Sequence, residues 1–142
     1  MPATDKDAAG RYASTASNTV SGPMLVVKLY DRLALDIELG REKIEARDVT
    51  GAHEALMHAQ RIVRVLRTSL QPELFQGGED LILLYDMLEH ELVRANMDKD
   101  VTPLATCAAI VGPLHRAWTQ AVNAVLAQEA EREATSVTVA VG

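Results

Sequence analysis

The chain has 142 residues, is 48% hydrophobic and 4% aromatic, and carries a formal net charge of −6 at pH 7. That length fits one domain whose core needs no metal or disulfide staple. The acidic balance speaks against a nucleic-acid binder and against docking on anionic membranes, because both need a basic surface.

Residues 1–21 are rich in Ala, Ser, Thr and Asp and show no apolar period, so a flexible arm is expected. Tyr12 and Val20 are its large apolar anchors, and the polar start lacks the apolar core of a signal peptide. Gly22 and Pro23 open the first predicted helix, over 23–47. Val26, Leu29, Tyr30, Leu33, Ile37 and Ile44 form one stripe, broadened by Leu25, Leu35 and Leu39. Gly40 interrupts the stripe and marks a close helix contact or a slight bend. Thr50 is the expected N-cap of a second helix over 50–70, where Val49, Ala52, Leu56, Ala59, Val63, Leu66 and Leu70 keep strict three-four spacing. Ala55, Ile62 and Val65 lie off that seam and suggest a second apolar face. Arg61, Arg64 and Arg67 read as a solvated basic face, with an acidic partner as the alternative.

Residues 71–78 form a loop containing Pro72, Gly77 and Gly78, with Leu74 and Phe75 expected to tuck against the body. A third helix covers 79–97 on a stripe of Leu81, Leu84, Leu88, Leu92 and Ala95, flanked by Ile82, Tyr85 and Val93. The fourth, over 102–128, begins at the capping Thr102 followed by Pro103. Leu104, Cys107, Val111, Leu114, Trp118, Val122 and Val125 recur every three or four residues, while Ile110, Ala117, Ala121 and Ala124 make a flatter second face. Arg116 is the only formally charged residue between 101 and 128. Pro113 inside the helix costs about 3 kcal/mol, which predicts a kink near Ala109 or two abutting helices. Residues 129–142 read as a polar tail. Four helices with short connections predict an all-α, antiparallel up-down four-helix bundle. The surplus apolar surface on the second and fourth helices predicts a partner that covers it.

Catalytic and metal chemistry finds no footing. His53 and His58 are five residues apart and diverge around a helix, unlike the i, i+4 pair of a zinc protease. The Glu-x-x-His pairs of di-iron bundles are absent, since Thr50, Ala55, Met87 and Gly112 stand three before the four histidines. Cys107 is the sole cysteine; it rules out an intramolecular disulfide and reads as a small core residue. No stretch is uninterrupted enough to span a bilayer. The expectation is therefore a cytoplasmic protein that is no enzyme and needs no metal or cofactor. His90, between Glu89 and Glu91, or His58 leaves open a phosphotransfer signalling bundle. Pairing of the 117–124 face with its own copy leaves open a self-associating homodimer.

The motifs, taken in order, resemble the flagellar secretion chaperone family FliS. The resemblance rests on Pro23, then Leu29, Tyr30 and Asp31 in succession. It continues through Ala52, Leu56, Ala59, Gln60, Ile62, Val63, Leu66, Ser69 and Leu70 without a gap. Leu84 with Tyr85 and Ala95 with Asn96 follow, then Asp100, Val101, Leu104, Val111, Leu114, Ala117 and Trp118. It runs from Tyr12 to Val125. Departures are Val20, Ser21 and Gly22 before Pro23, Arg32 where the family favours glycine, the shortened distance from Gly77 and Gly78 to Leu84, and the Gly112–Pro113 break.

The resemblance implies a cytoplasmic chaperone that holds the C-terminal segment of flagellin, prevents its premature polymerisation and delivers it to the flagellar type III export gate. Amphipathic client helices would lay their apolar faces on the spare faces of the bundle. The expected client surface is Ala55, Ile62, Val65, Ile110, Ala117, Ala121 and Ala124. Leu56, Val63, Leu84, Leu88, Val111 and Trp118 are expected in the core. Tyr12, with Val20, falls in the arm that the resemblance implicates in covering the empty groove or meeting the export gate. Tyr30 and Asn96 match motif positions, but packing and helix-end hydrogen bonding explain them equally.

Overall fold

A computed structural model describes residues 22–74 and 76–141, with side chains to residue 140. Phe75, Tyr12 and Val20 lie outside the described residues. Four helices follow one another: α1 (Gly22–Glu45), α2 (Val49–Ser69), α3 (Gly78–Asp98) and α4 (Thr102–Val141), with a 3-10 turn at Pro72–Leu74. They pack in a ring, α1 against α2 and α4, and α3 against α2 and α4. Short connections at both ends make this the antiparallel up-down bundle.

The apolar stripes meet in one core. Tyr30 and Leu33 of α1, Leu56, Ala59 and Val63 of α2, Leu88, Leu92 and Ala95 of α3, and Cys107 of α4 are fully buried. The expected core residues Leu56, Val63, Leu88 and Val111 are buried there. Leu84 and Trp118 are half-buried and pack against the core from outside. Gly40 is the point of closest approach between α1 and α2: a Cβ there would fall 2.5 Å from Leu56 Cδ2. The basic face of α2 leans on α3, where Arg64 Nε donates to Glu89 (2.7 Å) and Arg67 Nε to Asp86 (2.6 Å).

Several boundaries differ from the expected ones. α1 ends at Glu45 because Arg47 turns left-handed at φ 60°, and Arg47 N and Asp48 N bond back to Ile44 O (3.0 Å) and Lys43 O (2.9 Å). The N-cap of α2 is Asp48, not Thr50: its carboxylate accepts Gly51 N–H at 2.9 Å. That hydrogen bond, the largest influence, with Lys43 beside it, holds the Asp48 carboxyl below its ordinary range. Leu74 does not tuck in; it is 68% exposed. The turn is anchored instead by backbone, since a Cβ on Gly78 would fall 2.3 Å from Pro72 O.

The fourth helix does not divide at Pro113. It runs through that residue as one element of 40 residues, with the proline ring on the exposed side. Nor does it stop at Gln128. It continues to Val141, although residues 127–140 are all exposed. Over 127–134 Ala, Gln, Glu and Arg are good helix formers, and the mostly β-branched 135–141 extend an existing helix without a nucleation cost.

Candidate functional site

Among the described residues, the bundle leaves an opening where α1 begins. Leu25, Val26 and Leu29 on one side and Val65, Leu66 and Leu70 on the other border a groove of about 340 Å³, with Pro23 at its mouth and Tyr85 and Trp118 behind. Its lining is almost wholly apolar; apart from the Tyr85 hydroxyl and the Trp118 indole, only Ser69 offers a side-chain polar group. Leu25, Val26, Leu29, Val65, Leu70 and Trp118 are half-buried, so each presents part of its apolar surface to whatever enters.

A polar frame holds this groove. Beneath it the hydroxyls of Tyr30 and Tyr85 share a buried hydrogen bond of 2.6 Å, joining α1 to α3 across the bundle axis. Burial, first, pushes both phenols upward, so neither ionises near neutral pH. Tyr30 stacks on Trp118, with ring centroids 6.4 Å apart, and on His115 at 6.3 Å. His115 Nε2 and Asp31 Oδ1 lie 2.5 Å apart, tying α4 to α1. The indole is thereby fixed as the rear wall by packing and hydrogen bonds.

The residues expected to form the client surface do not share one face. Val65 lines the groove. Ile62 is a correction: at 5% exposure it belongs to the core, because α1 and α3 flank α2 closely enough to enclose residues on both sides of its seam. Ile110 is half-buried against the core. Ala117, Ala121 and Ala124 lie exposed on α4, outside the groove lining.

Ala55 sits in a different depression of about 510 Å³ between α1 and α2, lined by Arg32, Asp36, Glu54, His58 and Arg61 among others. That depression is polar. Asp36, fully buried, accepts from Arg32 Nε at 3.0 Å and bonds His58 Nδ1. The i, i+4 pair of Arg32 and Asp36 is readable in sequence, but the His58 contact comes from helix packing.

Of the family-motif positions, Pro23, Leu29, Leu66, Ser69, Leu70, Tyr85 and Trp118 converge on the apolar groove, and Tyr30 supports it from below. Leu84 packs on the outside of the core and Gln60 is buried within α2. Asn96 lies at the far end, where its Nδ2 donates to His53 Nδ1 at 3.0 Å and its Oδ1 accepts from Lys99 Nζ at 2.5 Å. Periodicity placed Val26 and Leu70 on the stripes of α1 and α2 and Leu25 beside one, but assigned none of them to a client surface; all three line the groove. The excess apolar width of α1 at Leu25 was the available signal.

Among the described residues no group of three or more His, Cys, Asp or Glu is arranged to hold a metal ion. Cys107 is buried and its thiol is pushed up to about 12, by burial first and Glu91 second. Among the described residues no helix is long and apolar enough to cross a membrane.

Comparison with known proteins agrees with the motif reading. The family model described as flagellar protein FliS matches residues 5–125. The flagellar secretion chaperone FliS of Bacillus subtilis (strain 168) is 29% identical over 112 residues, covering 79% of this chain and 84% of that protein. A crystal structure described as a flagellar chaperone from bacteria shares the fold, with a TM-score of 0.66 at 18% identity, covering 84% of this chain and 98% of that one. With the family model matched over most of its length, the chain belongs to the FliS family of flagellar proteins.

Proposed function

We propose that this protein is an export chaperone, not an enzyme, that captures the C-terminal segment of flagellin in the cytoplasm, keeps it from polymerising and hands it to the flagellar export gate. The observation that carries the reading is the open apolar groove at the start of α1. Seven of its lining residues are ones that carry the family resemblance: Pro23, Leu29, Leu66, Ser69, Leu70, Tyr85 and Trp118. A groove of this kind suits an amphipathic helix, which inserts anchors spaced i, i+3 or i+4 and i+7 between Leu25, Leu29, Val65 and Leu70. Capture needs no nucleotide. The client trades apolar exposure for burial, and ordering it costs about 2–5 kcal/mol of the gross interaction, which keeps binding reversible.

The exposed Ala117, Ala121 and Ala124 supply a shoulder on which a second stretch of client approaches closely, as small residues allow. Tyr12 and Val20 belong to this reading as contacts that cover the empty groove or meet the export gate. The test is calorimetric titration of the full chain with the C-terminal segment of flagellin from the same organism, beside Val65→Asp. Saturable one-to-one binding with a negative heat-capacity change, weakened at least tenfold in the variant, is expected, on the order of the cost of putting a charge into an apolar contact. A folded protein that binds no flagellin segment refutes it.

A further inference from the structure

At the end of the bundle opposite the apolar groove, the α1–α2 and α3–α4 turns lie side by side around a pocket of about 390 Å³. Ile44, Val49 and Ala52 give it an apolar floor, and Lys43, Arg47 and Lys99 give it a cationic rim. Arg47 (φ 60°) and Lys99 (φ 50°) are the only non-glycine residues with positive φ among those described, and both line this pocket. Glycine is the usual occupant of that backbone conformation, because a Cβ is strained there. Strained positions gather at ligand clamps.

The charges are unevenly spent. Lys43 Nζ lies 3.5 Å from Asp48, the one carboxylate in the lining, whose other oxygen caps α2. Lys99 Nζ donates to Asn96 O and Oδ1, both uncharged. Asp100 is engaged by Thr102 N–H. The Arg47 guanidinium has no hydrogen bond or ion pair among the described residues. Complementing the helix dipoles accounts for cations at the two helix C-termini. It does not account for a free Arg fork beside Val49, which is 62% exposed. A cationic fork above an apolar floor matches a carboxylate with an apolar side chain next to it, the chemistry of a peptide C-terminus.

We propose that this corner pocket binds the terminal carboxylate of the client chain, with Arg47 and Lys99 on its oxygens and the floor taking the adjacent side chain; the proposal rests on the flagellin reading. A client held here and in the apolar groove would run the length of α1, about 36 Å for 24 residues.

The experiment compares two forms of the flagellin C-terminal segment, one with a free carboxylate and one ending in an amide, titrated into the full chain, Arg47→Gly and Lys99→Gly. Glycine removes each cation while favouring the same backbone, so the variants keep their thermal midpoints. The free acid is expected to bind the unaltered chain about tenfold more tightly than the amide, with a gap that narrows in salt and collapses in both variants. Equal affinity of acid and amide for the unaltered chain overturns the proposal and leaves flagellin binding standing. A gap that persists in both variants overturns the assignment to this pocket. Failure of both forms to bind refutes the flagellin reading and this proposal with it. The comparison on the unaltered chain decides the matter even where a variant does not fold.

Discussion

Removing either hydroxyl of the Tyr30–Tyr85 pair strands its partner in the core. The two oxygens are 2.6 Å apart, and the residues are 0% and 2% exposed. Tyr30→Phe leaves the Tyr85 hydroxyl without that bond, and Tyr85→Phe does the reverse. A buried hydroxyl deprived of its partner costs about 1–3 kcal/mol, whereas removing both partners is close to neutral. Each single variant is therefore expected to lose about 2 kcal/mol, and the double variant only about 1 kcal/mol, which is about 3 kcal/mol short of the sum. At the size of this domain, 2 kcal/mol corresponds to a fall of about 4–8 °C in the thermal midpoint. Urea denaturation followed by circular dichroism, at fixed slope, reads all four corners of the cycle. Losses that add within about 0.5 kcal/mol would show that the two hydroxyls do not act as a pair. They would also remove the argument that this bond fixes the rear wall of the groove.

Three further outcomes follow from the packing. Gly40→Ala gains about 1 kcal/mol of helix propensity but forces Leu56 aside at a cost of about 1–3 kcal/mol, so a net loss near 1 kcal/mol is expected. Leu56→Val in the same chain should recover part of it, and a stabilised Gly40→Ala would contradict the close contact. The Asp48 cap has a lowered carboxyl value in the folded state. Its stabilisation is complete above the unfolded value, about 3.9, and disappears as pH falls through the lower native value. Asp48→Asn keeps a capping oxygen, so its denaturation midpoint should vary less than the unaltered chain's between pH 5 and the acid limit, about pH 2; an identical pH profile would exclude this carboxylate. The buried Cys107 thiol, held at about 12, should react with a thiol reagent at neutral pH only as fast as the bundle opens, and immediate stoichiometric labelling of the native protein would contradict its burial.

The bundle was readable because its information is periodic. Three-four spacing in α2 and α3 located their buried faces, and Gly40 marked the tight crossing with Leu56. What periodicity could not carry is which side of a helix its neighbours enclose. Ile62 and Val65 both stand off the α2 seam, yet packing buries one and leaves the other on the groove. Ala55 has no polar atom in its side chain to announce that Asp36 and His58 surround it. Thr50 and Asp48 are both competent caps, and the choice turned on which oxygen met the Gly51 N–H. The exposed end of α4 lacks an apolar period and ends in the β-branched 135–141, so neither pattern nor propensity announced its full length. The groove itself was not legible in the sequence: Pro23, Leu29, Tyr85 and Trp118 come from three helices and share no local pattern, and of the expected client surface only Val65 lines it.

Trp118 is the sole tryptophan of the chain and forms the rear wall of the groove. Its emission therefore reports occupancy at that place and nowhere else. The decisive measurement is titration of the full chain with a tryptophan-free C-terminal segment of flagellin, following Trp118 emission and its quenching by acrylamide. The account predicts a saturable blue shift and reduced quenching, in step with calorimetric binding and weakened by Val65→Asp. Calorimetric binding that leaves Trp118 emission and quenching unchanged would place the client on another surface and contradict the groove assignment.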